Sequence, residues 1–136
     1  MPFKVSQKVL FRHCDPAGIV FFPRYFEMMN DCVEAFFDEV IGVPFHAIHA
    51  TTAAVPTVQI STEFTAPSRH GDSLMLELSI IKVGRTSFSY RITARCEGEL
   101  RFDTTATLVY VGSDGRPAPL PDTIRYPLKA HKETSP

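Results

Sequence analysis

The chain has 136 residues, 44% of them hydrophobic and 21% charged, which suits one core in one domain and falls short of two. Its 14 Lys and Arg against 15 Asp and Glu give a formal net charge of -1, and no basic cluster marks a nucleic-acid footprint. No apolar run approaches the roughly 18 residues of a membrane span, the first residues hold no continuous apolar leader segment, and three cysteines without a CxxC pair fit a reducing compartment, so a soluble cytoplasmic protein is expected.

Residues 4 to 12 alternate, with Val5, Gln7, Val9 and Phe11 on one face, and predict a strand that ends at the breakers Asp15-Pro16-Ala17-Gly18. From Pro23 to Ile41 the period changes. Phe26, Met29, Val33, Phe36, Phe37, Val40 and Ile41 recur at spacings of three and four, the stripe of an amphipathic helix. Pro23 suits the first helical position, and Gly42 with Pro44 closes the far end of a helix of about 28 Å. Alternation then predicts four more strands, over 58–64, 74–80, 88–96 and 102–110. Gly84 and Glu97-Gly98-Glu99 make connections short enough for consecutive antiparallel hairpins. The proline-rich stretch after Gly112, with Pro117, Pro119, Pro121 and Pro127, is expected to be an extended loop. Residues 129–136 are expected to be a disordered tail, leaving a single domain over 1–128.

One helix and five antiparallel strands make an α+β arrangement in which the sheet wraps a long central helix. A single apolar stripe fills one face of that sheet. The other, with Arg91, Thr93, Arg95 and Thr105, is left to water or to a partner subunit.

The stretch from Cys14 to Pro23 carries the most chemistry. Asp15-Pro16 reads as an Asx turn, or as a carboxylate set beside the apolar wall of Ile19, Val20, Phe21 and Phe22. No Ser, Thr, Asp or Asn immediately precedes Pro23, so the first N–H groups of the helix lack a side-chain cap and are free for an anion or a carbonyl oxygen. A carboxylate and an uncapped helix N-terminus are the minimum equipment for acyl transfer. Cys14 follows His13, but neighbours on an extended segment point to opposite faces, so the thiol reads as core. His46 and His49 lack a third ligand at a recognisable spacing, and neither a metal site nor a cofactor is expected. Asn30, at the edge of the helix stripe, is either a boundary residue or a support for the site. Glu27, Asp31, Glu34 and Asp38 read as a solvated face. Arg85-Thr86-Ser87 after Gly84 is either a solvated hairpin tip or a phosphate clamp, since a guanidinium, hydroxyls and turn N–H groups all ligate phosphate oxygens. Arg116, in Ser113-Asp114-Gly115-Arg116, is a second candidate of that kind.

The run His13-Cys14-Asp15-Pro16-Ala17-Gly18-Ile19-Val20-Phe21-Phe22-Pro23-Arg24-Tyr25 strongly resembles the signature of the 4-hydroxybenzoyl-CoA thioesterase family of hotdog-fold acyl-CoA thioesterases. Glu63-Phe64-Thr65-Ala66-Pro67 and Gly84-Arg85-Thr86-Ser87-Phe88 resemble it as well, so the likeness spans residues 5 to 111. It implies a hotdog fold, a CoA thioester as substrate, and Asp15 as the catalytic carboxylate. It also implies that backbone N–H around Phe22, next to Pro23 and Tyr25, polarises the thioester carbonyl, and that Arg85, Thr86 and Ser87 lie near the CoA phosphates. Aryl-CoA members carry an acidic residue in the helix about where Asn30 or Asp31 falls. The DPAGIV string resembles the aryl-CoA branch, and the Ala-Pro and Gly-Arg-Thr-Ser segments also resemble the short-chain acyl-CoA branch.

The main expectation is therefore a thioesterase acting on an aryl-CoA or acyl-CoA. A hotdog-fold hydroxyacyl-thioester dehydratase would need a His on the helix, and Pro23 to Ile41 contains none. A carrier of small apolar acids is the reading outside enzymes. Edge-to-edge pairing of hotdog domains, which removes an exposed edge strand, predicts a homo-oligomer, a dimer or a dimer of dimers. Its active site is expected at the subunit interface.

Overall fold

The computed structural model describes residues 2–132. Strands β1 (Phe3–Lys8), β2 (Thr57–Phe64), β3 (Ser73–Val83), β4 (Ser87–Cys96) and β5 (Glu99–Val109) form one antiparallel sheet in the order β1-β3-β4-β5-β2. Helices α1 (Pro23–Phe36), α2 (Phe45–Ala50) and α3 (Asp122–Ala130) complete the fold. Strands β3, β4 and β5 form a meander because their connections are tight. Glu97 and Gly98 take φ of 51° and 82°, the two positive values that a type I′ hairpin requires. Strand β2 crosses over to pair with β5, with Ile60 opposite Ala106 and Phe64 opposite Phe102.

Period-two alternation becomes one buried face. Leu74, Leu76, Leu78 and Ile80 of β3, Phe88, Tyr90, Ile92 and Ala94 of β4, and Phe102, Ala106 and Leu108 of β5 are all buried. Met28, Met29, Cys32, Val33 and Phe36 of α1 join them in that core. Burying a side chain of this size from water is worth about 1.5–3 kcal/mol, so this interface dominates the stability. Strand β2 differs: Val58 and Ile60 remain 59% and 40% exposed. On the opposite face of the sheet, Arg91 donates from Nε to Asp103 Oδ1 across β4 and β5 at 2.9 Å.

The structure departs from the sequence expectations in five places. The first strand stops at Lys8, and Phe11–His13 forms a 3₁₀ turn, because Leu10 N–H is taken locally by His13 Nδ1 at 2.9 Å. The expected 19-residue helix is a 14-residue α-helix followed by a five-residue π turn, Phe37–Ile41, closed by Gly42 N–H on Phe37 O at 2.9 Å with Gly42 at φ 79°. Helix α2, with its six residues, is too short to leave a periodic signal. Helix α3 stands where an extended loop was expected. Ile124 and Leu128, four residues apart, bury one stripe, and that burial sustains the helix despite the N–H missing at Pro127. Of the expected tail, Lys129 and Ala130 finish α3 and Lys132 bridges to Ile80 of β3, continuing the edge that β1 occupies. Residues 133–136 lie outside the described residues.

Candidate active site

Asp15 opens a tight turn. Gly18 N–H donates to Asp15 O at 2.9 Å with Gly18 at φ 81°, where a side chain would be strained. Ala17 N–H donates to Asp15 Oδ1 at 2.9 Å. The Asx turn therefore forms, and it uses one carboxylate oxygen. Asp15 Oδ2 receives no hydrogen bond among the described residues. The limbs of the turn are tied by Asp15 N–H to Ile19 O at 2.9 Å, by Phe21 N–H to His13 O at 3.0 Å, and by Val20 N–H to Ser68 O at 2.9 Å. His13, buried beneath, accepts the Leu10 N–H. Burial pushes its pKa down, helped by the charge of Arg12.

The helix start is more nearly satisfied than its missing cap suggests. Phe22 is the N-cap and offers no side-chain acceptor, but Arg24 N–H donates to Phe21 O at 2.8 Å and Tyr25 N–H to Phe22 O at 3.1 Å. These 3₁₀-type bonds absorb two donors, and Pro23 has none. What remains is Phe22 N–H, which makes no hydrogen bond among the described residues. The expectation of several free donors is corrected to one.

Beside it opens a cavity of about 480 Å³. Ile19 and Val20 line it from the turn, Phe22 and Tyr25 from the helix start, and Phe64, Thr65, Ala66 and Pro67 from the end of β2. The Phe64 ring stacks on Tyr25 at 5.5 Å and meets Phe22 at 6.1 Å and Phe26 at 6.1 Å. Sequence reasoning gave Phe64–Pro67 no role, although an aromatic followed by Ala-Pro at a strand end was its visible signal. Asp15 itself does not line the cavity in the single chain; its turn supplies one wall.

The other candidates lie elsewhere. Asn30 is exposed two turns along α1, in a separate recess with Phe26, Glu27 and Asp31. Arg85 and Thr86 lie in the β3–β4 turn at the far end of the sheet, and Ser87 opens β4. Segment 68–72, which holds the Asp15 turn, enters β3 at Ser73, and β3 runs to Val83, about 33 Å at the usual rise per residue. The main chain of that turn is anchored by Tyr110 N–H on Thr86 O at 2.8 Å, Leu120 N–H on Arg85 O at 2.9 Å and Arg125 Nη1 on Gly84 O at 2.8 Å. The side chains of Arg85, Thr86 and Ser87 make no hydrogen bond among the described residues. Arg116 is exposed in a turn near the same end, where Ala118 N–H donates to Tyr110 O at 3.0 Å. One chain therefore brings Asp15, Phe22, Pro23 and Tyr25 together and keeps Arg85–Ser87 and Arg116 apart from them.

Among the described residues no cluster of three or more His, Cys, Asp or Glu is placed to hold a metal ion, and no helix is long and apolar enough to cross a membrane.

Comparison with known proteins bears on the family and the fold. Residues 9–128 match the family model described as the thioesterase-like superfamily. A 1,4-dihydroxy-2-naphthoyl-CoA hydrolase of Acaryochloris marina is 31% identical over 111 residues, 78% of either chain. The 4-hydroxybenzoyl-CoA thioesterase of Pseudomonas sp. (strain CBS-3) is 28% identical over 89 residues, 64% of this chain and 63% of that protein, so the match spans less than two thirds of that relative. In three dimensions the crystal structure of a 1,4-dihydroxy-2-naphthoyl-CoA thioesterase from Synechocystis superposes with a TM-score of 0.89 at 22% identity, covering 95% of this chain and 96% of that one, a likeness of fold.

Proposed function

The chain belongs to the thioesterase-like superfamily, and on that premise we propose that it hydrolyses an aryl-CoA or acyl-CoA thioester to the free acid and CoA. The observation that carries the reading is the unpartnered Phe22 N–H at an apolar cavity, on the same loop as a carboxylate with one uncommitted oxygen. The apolar walls take the acyl group. Phe22 N–H, at the positive end of the α1 dipole, stabilises the charge growing on the carbonyl oxygen. Asp15 acts either by attacking the carbonyl carbon, which expels CoA thiolate and leaves a mixed anhydride for water to cleave, or by taking a proton from the attacking water. Asn30 is assigned a supporting role along the helix.

The CoA phosphates are assigned to Arg85, Thr86 and Ser87, with Arg116 beside them. Those residues sit beyond the opposite end of β3 from the segment that holds the Asp15 turn, a strand about 33 Å long, so the assignment calls for a second copy. The exposed strand β2 offers the edge for it, and edge pairing would bury Val58 and Ile60. The working form is accordingly a homo-oligomer, a dimer or a dimer of dimers, in which the Asp15 loop faces the neighbour. An active monomer of about 15 kDa by light scattering would remove this part of the reading.

A thiol-release assay with a panel of CoA thioesters tests the reaction. Many turnovers of free CoA per chain are expected from at least one aryl or short-chain acyl member. Binding without CoA release across the panel would favour a carrier and refute hydrolysis.

A further inference from the structure

No motif in the sequence marks Arg101, on β5. Its side chain is only 11% exposed. Nη1 donates to Asp72 Oδ2 at 2.8 Å, to Pro67 O at 3.1 Å and to Ser68 Oγ at 3.1 Å. The main-chain carbonyl of the same residue accepts Thr65 N–H at 2.9 Å. Arg101 therefore grips the segment 65–68 at both ends, and Thr65, Ala66 and Pro67 of that segment are a wall of the candidate cavity. Glu99 Oε1 lies 2.8 Å from Nε, but the N–H does not point at it, so this contact is an ion pair and leaves Nε without a hydrogen bond.

The grip continues into the reactive turn. Ser68 is fully buried, and its carbonyl accepts Val20 N–H at 2.9 Å, while Ile19 bridges to Arg69. Ile19 O accepts Asp15 N–H at 2.9 Å. From guanidinium to carboxylate-bearing residue the path is Arg101, Ser68, Val20–Ile19, Asp15, each link a hydrogen bond or a covalent bond. The Arg69 N–H, and then Arg101, hold the carboxyl of Asp72, the charged partner, below its ordinary pKa, which favours the ionised pair.

We propose that Arg101 is a positioning residue for the hydrolysis: it fixes the separation between the cavity wall at 65–67 and the Asp15 turn, and so sets where the carboxylate meets the thioester carbonyl. The inference rests on the reading of Asp15 as the reacting carboxylate. Its chemistry explains why arginine stands there. Its Nη1, at the end of the longest side chain, serves a carboxylate, a carbonyl and a hydroxyl together, and a lysine ammonium in its place ends one bond short on a more flexible stem.

Arg101→Lys keeps the charge but ends one bond short of the position Nη1 occupies, and Arg101→Leu loses both charge and donors. In steady-state kinetics at a temperature where each variant is fully folded, Arg101→Lys should lower kcat about 10-fold or more, with KM within about twofold of wild type, because misplacement of a reacting group by about 1 Å costs up to 10²-fold in rate. Arg101→Leu should lose more. Should Arg101→Leu fail to fold, Arg101→Lys decides alone. Wild-type kcat in folded Arg101→Lys overturns the proposal, as does a change confined to KM, or a kcat loss that merely follows the folded fraction. Asp15→Asn is assayed alongside. An inactive Asp15→Asn beside a fully active Arg101→Lys removes this inference and leaves the proposed function standing. An Asp15→Asn of wild-type activity removes both.

Discussion

The turn at Asp15 engages its own side chain in the main-chain network and rests on buried His13 and Ser68, whereas the turn at Arg85 ties down only its main chain and leaves Arg85, Thr86 and Ser87 uncommitted. The contrast matches what the proposed function asks of each end. A group that attacks or activates water must be held to a fraction of an ångström. A cation meeting a phosphate works from a long flexible arm, because the attraction falls off gently with distance. Hydrogen bonds are concentrated where bonds would change, and uncommitted side chains where a charged handle would be gripped.

Replacing Asp15 tests the rigid end most severely. Asp15→Asn preserves shape and can still accept the Ala17 N–H, so folding and CoA binding should persist, while kcat falls at least ~10²-fold. A folded oligomer of this variant with near wild-type kcat would refute the division of labour. Single-turnover hydrolysis in ¹⁸O-water then separates the two mechanisms, since only direct attack leaves label in Asp15.

The gripping end should answer differently. Arg85→Ala is expected to raise KM for CoA thioesters about 10-fold by losing a charge-assisted contact, with kcat little changed. Hydrolysis of a pantetheine thioester, which lacks the nucleotide, should be unaffected; equal damage to both substrates would place Arg85 in the wrong half of the comparison.

A smaller change sharpens the boundary of the rigid end. Phe64→Ala removes the ring stacked on Tyr25 and opens the cavity wall. It should cost about 1–3 kcal/mol of stability, from the aromatic pairing and the covered part of the ring together, and raise KM more for aryl than for short acyl thioesters, checked by thermal melting and a substrate series.

The mildest perturbation is pH. The folded pKa of His13 lies below its unfolded value of about 6.5, so over that interval the unfolded chain binds the extra proton. Stability is fully present above about pH 6.5 and falls as the pH drops toward the folded pKa, then levels off. Asp72 adds a second loss below about pH 4, where its carboxylate takes up a proton in the unfolded chain before it does so in the folded one, paired with Arg101. Melting temperatures measured between pH 8 and 5 should slope downward in the wild type and lie flat in His13→Asn, whose amide oxygen still accepts the Leu10 N–H.

The sheet was legible where periodicity and burial coincide. Leu74, Leu76 and Leu78 alternate and are buried as the pattern demands. Val58, Ile60 and Phe64 alternate in the same way and yet stay exposed, because what covers a strand depends on its neighbours and not on its own period. Proline hid α3: Pro121 and Pro127 read as breakers, although Asp122 in the first turn and the Ile124–Leu128 pair carried a helix signal. In the site, the turn and the missing cap at Phe22 could be read directly. Which donors that absence leaves free could not, since it depends on the 3₁₀ bonds of Arg24 and Tyr25. The wall at Phe64–Pro67 was hidden because it meets the Asp15 loop across more than forty residues of chain.

Phe3 pairs with Leu78 and Lys132 bridges to Ile80 on the same edge of β3, so the first strand and the last described residues lie nearly end to end, about 7 Å apart along the strand. The order in which the polypeptide visits its elements is thus not imposed by the architecture. A linker of a few residues could join these two points and new ends could be cut at the exposed Glu97–Gly98 hairpin, giving a circular permutant in which every strand pairing is retained. Such a rearrangement would put the new ends at a hairpin between the central strands, and would offer an attachment point for labels or fusions away from α3 and the turn it anchors.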